Sequence, residues 1–254
     1  MLHVALAVGA ALVALAFGLS TFERWLVRRR QHELLWSVAL ALFSLAAFAL
    51  AAGAALGWSG ASFRLFYLFG AIANVPFLAA GTVALLGGRR WGDSAGAGAA
   101  LFAAFAAGVM ATAGFTHALP HAELAQGSHV LGALPRVLAA VASGGGALVV
   151  FGGAAYSAVR RRHERRLLLG NVLIAAGTAL LGASGLLNSV FDAMTGFAVM
   201  LVLGITVLFA GFLVASGPLR RRTRLSLVTT ASPASGAPSV GASPPSRAGE
   251  RPRT

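Results

Sequence analysis

Two residue types that carry much of protein chemistry are absent from this chain of 254 residues. It contains no cysteine, which excludes disulfide bonds and thiolate catalysis. It also contains no lysine, so every basic residue is arginine. A retinal Schiff base needs a lysine amine, which excludes a light-driven rhodopsin. The Ser-Gly-Gly-Gly run at 143–146 is not a phosphate-binding loop, since no lysine follows it.

Charged residues are scarce as well. Only 11% of the residues are charged and 57% are hydrophobic, and the mean hydropathy is +0.80. These values are typical of a polytopic membrane protein. Seven apolar segments are each long enough to cross a hydrocarbon core of about 30 Å, and they lie at 2–20, 34–56, 64–87, 95–117, 136–158, 167–188 and 195–217. We therefore predict an all-α bundle of seven transmembrane helices over residues 1–222, followed by a disordered cytoplasmic tail at 223–254 that is rich in Ser, Pro, Ala and Gly.

The arginines cluster after every second span. They follow spans one, three, five and seven, whereas the alternate loops hold only Arg64 and Arg136, at span edges. The positive-inside rule then predicts an outside N-terminus and a cytoplasmic C-terminus. We expect the inner runs to contact anionic lipid headgroups of the cell membrane, through Arg28, Arg29, Arg30, Arg160, Arg161, Arg162, Arg220, Arg221 and Arg222. The runs are short and adjoin spans, and no aromatic residues interleave them, so we expect no nucleic-acid partner.

The third span contains an unusual polar motif, Asn-Val-Pro at 74–76. Pro76 removes one backbone donor and displaces a carbonyl, which predicts a kink or a local opening of the helix. Tyr67, Gly70, Asn74 and Gly81 share one helical stripe, and we expect Asn74 to face the interior and to bond Asn171 or Thr178 of span six, or a backbone group of span five. The stripe either packs helices together or faces a ligand, and packing is favoured.

Small residues fill the fifth and sixth spans. The glycines at 144–146 and 152–153 in span five permit close helix packing; an unwound, ligand-coordinating segment is the alternative. A stripe in span six holds Asn171, Thr178, Gly182 and Gly185. A shift that carries Arg28–Arg30 onto Arg160–Arg162 also carries Arg89–Arg90 onto Arg221–Arg222, which indicates a weak parallel repeat of three spans, a linker span and three spans.

Histidines gather in the outer loop between spans four and five. His117 and His121 have the i, i+4 spacing of metal-ligand pairs, and Glu123 or His129 would complete a site. Pro120 interrupts the helix that would align the pair, and loop histidines are common in solvated segments, so we expect weak or no metal binding and no cofactor. Proton sensing by these histidines is a further hypothesis.

The chain resembles a type of seven-helix membrane protein of high-GC bacteria that has no established activity. The resemblance rests on the FRLFYLFGAxxNVP-like third span and the glycine-rich fifth, over residues 63–90 and 135–216; it implies a fold and a membrane location. No span carries an ionisable residue near its middle, which argues against ion-coupled pumps and intramembrane hydrolases. We therefore favour a non-enzymatic membrane module, either an accessory subunit that binds a membrane-protein partner or a receptor-like sensor. The alternatives are a passive small-solute facilitator and, third, an enzyme that uses the outer histidines.

Overall fold

The structure is a computed structural model that describes residues 2–119, 127–160, 165–191 and 194–216. Helices make up nearly all of these residues: α1 (Leu2–Arg28), α2 (Gln31–Leu56), α3 (Gly60–Phe66), a π-helical segment (Tyr67–Ala73), α4 (Asn74–Thr112), α5 (Gly127–Val130), α6 (Ala133–Arg160), α7 (Arg165–Phe191) and α8 (Met194–Ser216). The described part holds no β-strand, only an isolated antiparallel bridge between Phe115 and Leu131. The all-α prediction is confirmed. The predicted tail at 223–254 lies outside the described residues.

Four helical stretches of the described chain are long and apolar enough to cross a membrane. They are Val4–Arg28, Gln31–Leu56, Gly60–Thr112 and Ala133–Ser157, and shorter apolar helices occupy Leu168–Ala183 and Val199–Val214. The predicted class, a helical membrane protein, agrees with these lengths. Span four was predicted to reach residue 117, but its helix ends at Thr112, where the next residue takes an extended conformation.

The stretch Gly60–Thr112 is 53 residues long, yet it folds back on itself at Gly88. Gly88 has φ +78° and ψ −171°, a backbone conformation that favours glycine. Arg64 Nη2 donates to the carbonyl oxygen of Ala113 at 2.8 Å, although these residues would stand about 70 Å apart on one straight helix. Residues 74–87 and 89–112 of α4 therefore form two antiparallel arms.

Arginine-bearing turns share one end of the bundle, which we call the basic end: the α1–α2 turn at 28–31, the Gly88–Arg90 turn and the start of α7. A methyl group on Gly92 would lie 3.5 Å from Gln31 Cγ, which brings the first two turns together. Near the end of α8, Phe212 stacks on Trp36 with ring centroids 4.3 Å apart, and Arg166 Nε donates to the Val214 carbonyl at 2.7 Å. The α2–α3 turn and the described residues 113–119 and 127–132 lie at the opposite end.

Small side chains bring neighbouring helices close together. α1 contacts α2 through buried alanines, and Ser44 Oγ of α2 donates to the Ala11 carbonyl of α1 at 2.9 Å. In the α7–α8 pair, a methyl group on Gly211 would lie 2.7 Å from the backbone nitrogen of Ile174. Gly182 of the predicted span-six stripe has open space around it instead. The face of α7 that packs on α8 is the one that carries Gly170, Ile174, Gly177 and Leu181.

Candidate functional site around the third span

The third span opens locally just before Pro76, as predicted. Tyr67–Ala73 is π-helical, and the N–H of Asn74 bonds the carbonyl of Phe69, five residues back. Proline cannot donate the hydrogen bond that the α-helix needs at its position, so widening the preceding turn is one way for the chain to accommodate it. π-Helical turns inside α-helices are frequent at functional sites, which makes this segment the centre of the candidate site.

α6 contacts the opened segment through its glycine-rich run. Ser143 Oγ donates to the Ala71 carbonyl at 3.1 Å. A methyl group on Gly146 would lie 2.5 Å from Val75 Cγ1, and one on Gly153 would lie 2.6 Å from Thr82 Cγ2. One face of α6 therefore fits one face of α4 over two helical turns.

The glycine run does not unwind. α6 is continuous from Ala133 to Arg160, so the alternative of a broken, ligand-coordinating segment in span five is wrong. Gly146 and Gly153 are used for close packing, as the favoured interpretation proposed, whereas Gly144, Gly145 and Gly152 face open space. The run thus combines a packing face with a face that no other helix of the described chain covers.

The predicted stripe of the third span packs mainly on α2. A methyl group on Gly70 would lie 3.2 Å from the Ala46 Cβ, and one on Gly81 would overlap the Trp36 indole. Tyr67, at the opposite end of the bundle from the basic end, covers Gly127 with its ring. Helix packing explains these positions and leaves Asn74 as the polar member without an evident packing role.

Asn74 does not make any of the predicted hydrogen bonds. Its Oδ1 atom is buried and has no hydrogen-bond partner among the described residues. Asn171 Nδ2 donates to Ser157 Oγ of α6 at 2.6 Å, and Thr178 Oγ1 bonds back to Ile174 O at 2.8 Å within α7. Asn171 lies one to two helical turns from the basic end, whereas Asn74 lies nearly four turns from it. Because a helix rises about 1.5 Å per residue, the two amides differ in depth by about 12 Å.

The histidine loop is held by backbone contacts. His117 Nδ1 donates to the carbonyl oxygen of His129 at 2.8 Å, and Thr116 Oγ1 donates to the same oxygen at 3.1 Å. The residues that the structure describes contain no group of three metal-ligating side chains. His121 and Glu123 lie outside those residues, so the four-residue site stays a prediction. Nearby, the Arg64 guanidinium lies 4.8 Å from the centroid of the Phe115 ring.

At the basic end the structure reveals a buried carboxylate that we did not expect. Glu33 is 2% exposed, and its Oε1 lies 3.7 Å from Arg28 Nη1. Arg24 is buried too, at 8% exposure, and Trp36 Nε1 is buried with no hydrogen-bond partner in the described chain. The signal in the sequence was an acidic residue three positions after an arginine run, in the first turn of an apolar helix. The nearby charges had suggested a solvated position.

The arginines proposed for lipid contact are only partly described. Arg28 pairs with Glu33, and the Arg29 guanidinium lies 4.9 Å from the centroid of the Trp25 ring. Arg30 precedes α2, and Arg160 is the last residue of α6. Arg161, Arg162, Arg220, Arg221 and Arg222 lie outside the described residues. Arg28 and Arg29, at the turn between α1 and α2, therefore make contacts within the protein as well as any contact with lipid.

No known protein family matches this chain, and neither a curated protein nor a solved structure gives a significant match.

Proposed function

We propose that this chain is a multi-pass membrane protein with seven crossings, an outside N-terminus and its basic end in the cytoplasm. The return of the chain at Gly88 supports two crossings within Gly60–Thr112, and α7 and α8 are apolar helices of 27 and 23 residues. The arginine turns at one end support the orientation, because arginine-rich loops stay in the cytoplasm. Reporter fusions after Arg30, Arg90, Arg166 and Arg224 should report the cytoplasm, and a fusion near Trp58 the outside. A cytoplasmic signal near Trp58 would refute this topology.

The proposed architecture includes the parallel repeat. α1 ends at Arg28 and α6 ends at Arg160, a shift of 132 positions. The same shift carries the bounds of α2, Gln31–Leu56, to 163–188, close to those of α7, Arg165–Phe191. Matching helix bounds support a common origin for the first and last three crossings, with the arm 89–112 as the linker crossing.

We propose that the bundle works as a non-enzymatic membrane module, an accessory subunit or a receptor-like sensor. The observation that carries this proposal is the close contact of α6 with α4, where Gly146 meets Val75 and Gly153 meets Thr82. Such contact fills the space between these two helices with backbone and small side chains. A module that holds or senses a partner needs a packed bundle. Its expected lipid contacts are anionic headgroups at the basic end.

A passive small-solute facilitator is the second candidate, and one observation favours it. Asn74 Oδ1 is buried and unpaired beside the π-helical segment, as a polar group on a solute path would be. A liposome swelling assay with small neutral solutes separates the two functions. The module predicts the same swelling rate as empty liposomes, together with a membrane protein that co-purifies at fixed stoichiometry from the native membrane in two detergents. Faster swelling that Asn74→Leu abolishes and Phe69→Leu preserves would overturn the module in favour of the facilitator.

A further inference from the structure

The basic end holds an arginine that is buried and unpaired. Arg24 of α1 is 8% exposed, and no hydrogen bond or ion pair joins its guanidinium to a described residue. The carboxylates of Glu23 and Glu33 attract it only from a greater distance. Its nitrogens are not among the buried atoms that lack a partner, so the small exposed part of the residue includes them. A charge held in this way calls for an anion from outside the chain.

The contacts of α1 place Arg24 beside α2 and α8. A methyl group on Gly18 would lie 3.4 Å from Leu40 Cβ of α2. Because α1 and α2 are antiparallel, residue 24 is level with the first turn of α2. Phe17 stacks on Phe209 of α8, and a residue seven positions farther along α1 lies on the same face, two turns on. Arg24 therefore lies on the side of α1 that faces α8, near the end of both helices.

Arg28 adds a second guanidinium to the same face. Residues four apart on a helix lie about 5–6 Å from each other, and the charges of Arg24 and Arg28 repel. In the part of the chain that the structure describes, Glu33 alone forms an ion pair with either arginine, at 3.7 Å from Arg28. Its charge offsets that of Arg28 and leaves Arg24 unbalanced. One negative charge from a ligand would complete the balance.

The surroundings of Arg24 select the source of that anion. It lies about 6 Å before the end of α1, and exposed apolar side chains flank it. Val27, one turn along α1, is 71% exposed, and Leu213 of α8, one turn beyond Phe209, is 42% exposed. A phospholipid satisfies both parts of this surface, because its phosphate matches the paired donors of a guanidinium and its acyl chains cover the apolar side chains. A free phosphate ion satisfies only the arginines.

We propose that Arg24 and Arg28 bind the phosphate of one anionic phospholipid between α1 and α8 at the basic end. Arginine pockets between membrane helices are known to bind such headgroups. The inference deepens the lipid contacts proposed above, and it rests on the basic end lying at a membrane surface. It requires neither a protein partner nor a transported solute. Arg24 is the residue that separates this site from a general attraction of arginines to the membrane.

The test measures thermal unfolding of the full-length protein, purified in detergent and freed of native lipid, after addition of dioleoylphosphatidylglycerol or dioleoylphosphatidylcholine. The two lipids share their acyl chains, but only the first has a net negative charge. We expect a saturable rise in Tm with phosphatidylglycerol and none with phosphatidylcholine. At ten times Kd, the folding equilibrium constant rises about elevenfold. Equal Tm values in the two lipids would refute the site and would leave the topology and the module untouched, since neither enters this measurement.

Inorganic phosphate, compared with chloride at equal ionic strength, separates the two sources of phosphate. We expect no change in Tm, because the ion gains nothing from the apolar side chains beside Arg24. A rise in Tm that Arg24→Gln abolishes would overturn the lipid and assign the arginines to a soluble phosphate compound.

Three variants keep the test specific. Arg24→Gln removes the unbalanced charge and should abolish the rise with phosphatidylglycerol. Arg89→Gln, the matched control, removes an arginine of the same end whose side chain is 88% exposed and paired with Asp93, and should preserve the rise. Equal loss in both variants would indicate general attraction and refute the site. Arg24→Lys keeps the charge without the paired donors, so half-saturation should need more lipid; if Arg24→Gln does not fold, an unchanged half-saturation in Arg24→Lys refutes the site.

Discussion

Gly146→Ala tests the contact on which the packing of α6 and α4 depends. The added methyl group would lie 2.5 Å from Val75 Cγ1 and 3.2 Å from the Val75 carbonyl oxygen. Ordinary carbon contacts are about 3.5–4.0 Å, so the methyl group and the valine side chain cannot both keep their places. Valine has few χ1 alternatives in a helix, and the helices must separate if it cannot turn.

The expected cost follows from overpacking, about 1–3 kcal/mol. Gly145→Ala is the matched control, because Gly145 is the preceding residue of the same helix and a methyl group there meets nothing within 4 Å. Both variants share the higher helix propensity of alanine, up to about 1 kcal/mol in water. Their difference therefore isolates the clash, and at about 2–4 °C per kcal/mol the Gly146→Ala protein should unfold roughly 2–12 °C below the control.

Thermal unfolding in detergent, followed by tryptophan fluorescence, measures the difference. Val75→Ala removes the atom that the new methyl group meets, so Gly146→Ala in that background should cost little. The double-mutant cycle should give a coupling of about 0.5–3 kcal/mol. If Gly146→Ala and Gly145→Ala unfold at the same temperature, or if Val75→Ala does not relieve the cost, α6 does not approach α4 at this point and the packed bundle is wrong.

The other predictions concern the π-helical segment, the α7–α8 pair and the histidine loop. Ser143→Ala removes an interhelical bond worth about 0.6–2 kcal/mol, so amide exchange in the π-helical segment, measured by mass spectrometry, should accelerate about 3- to 30-fold; unchanged exchange would contradict the bond. Gly177→Ala places a methyl group against the backbone of the facing helix and should lower stability by about 1–3 kcal/mol, whereas Gly182→Ala, in open space, should not; equal loss in both would reject the packing face. By calorimetry the wild-type protein should bind zinc no more tightly than the His117→Ala, His121→Ala double variant, and one-to-one binding lost in that variant would restore the metal site.

The local sequence pattern was enough to predict a helical membrane protein and a local opening of its third span. Long runs without charge predicted apolar helices, because lipid offers no partner for a polar backbone and helices satisfy it internally. Pro76 predicted the opening of the third span, because the missing N–H is a property of that residue alone. The arginine runs also predicted where one helix ends and the next begins. The Gly88 turn and the α1–α2 turn lie at two of these runs.

Contacts between helices were decided only by the tertiary structure. A stripe of small residues shows that a helix packs, but its rotation and depth against a neighbour depend on both surfaces, and lipid does not discriminate among apolar faces. For this reason Asn171 bonds Ser157 rather than Asn74, and Gly177 packs where Gly182 does not. Glu33 lies buried beside Arg28, which the α1–α2 turn brings close to it, and Asn74 Oδ1 is buried without a hydrogen-bond partner in the described chain.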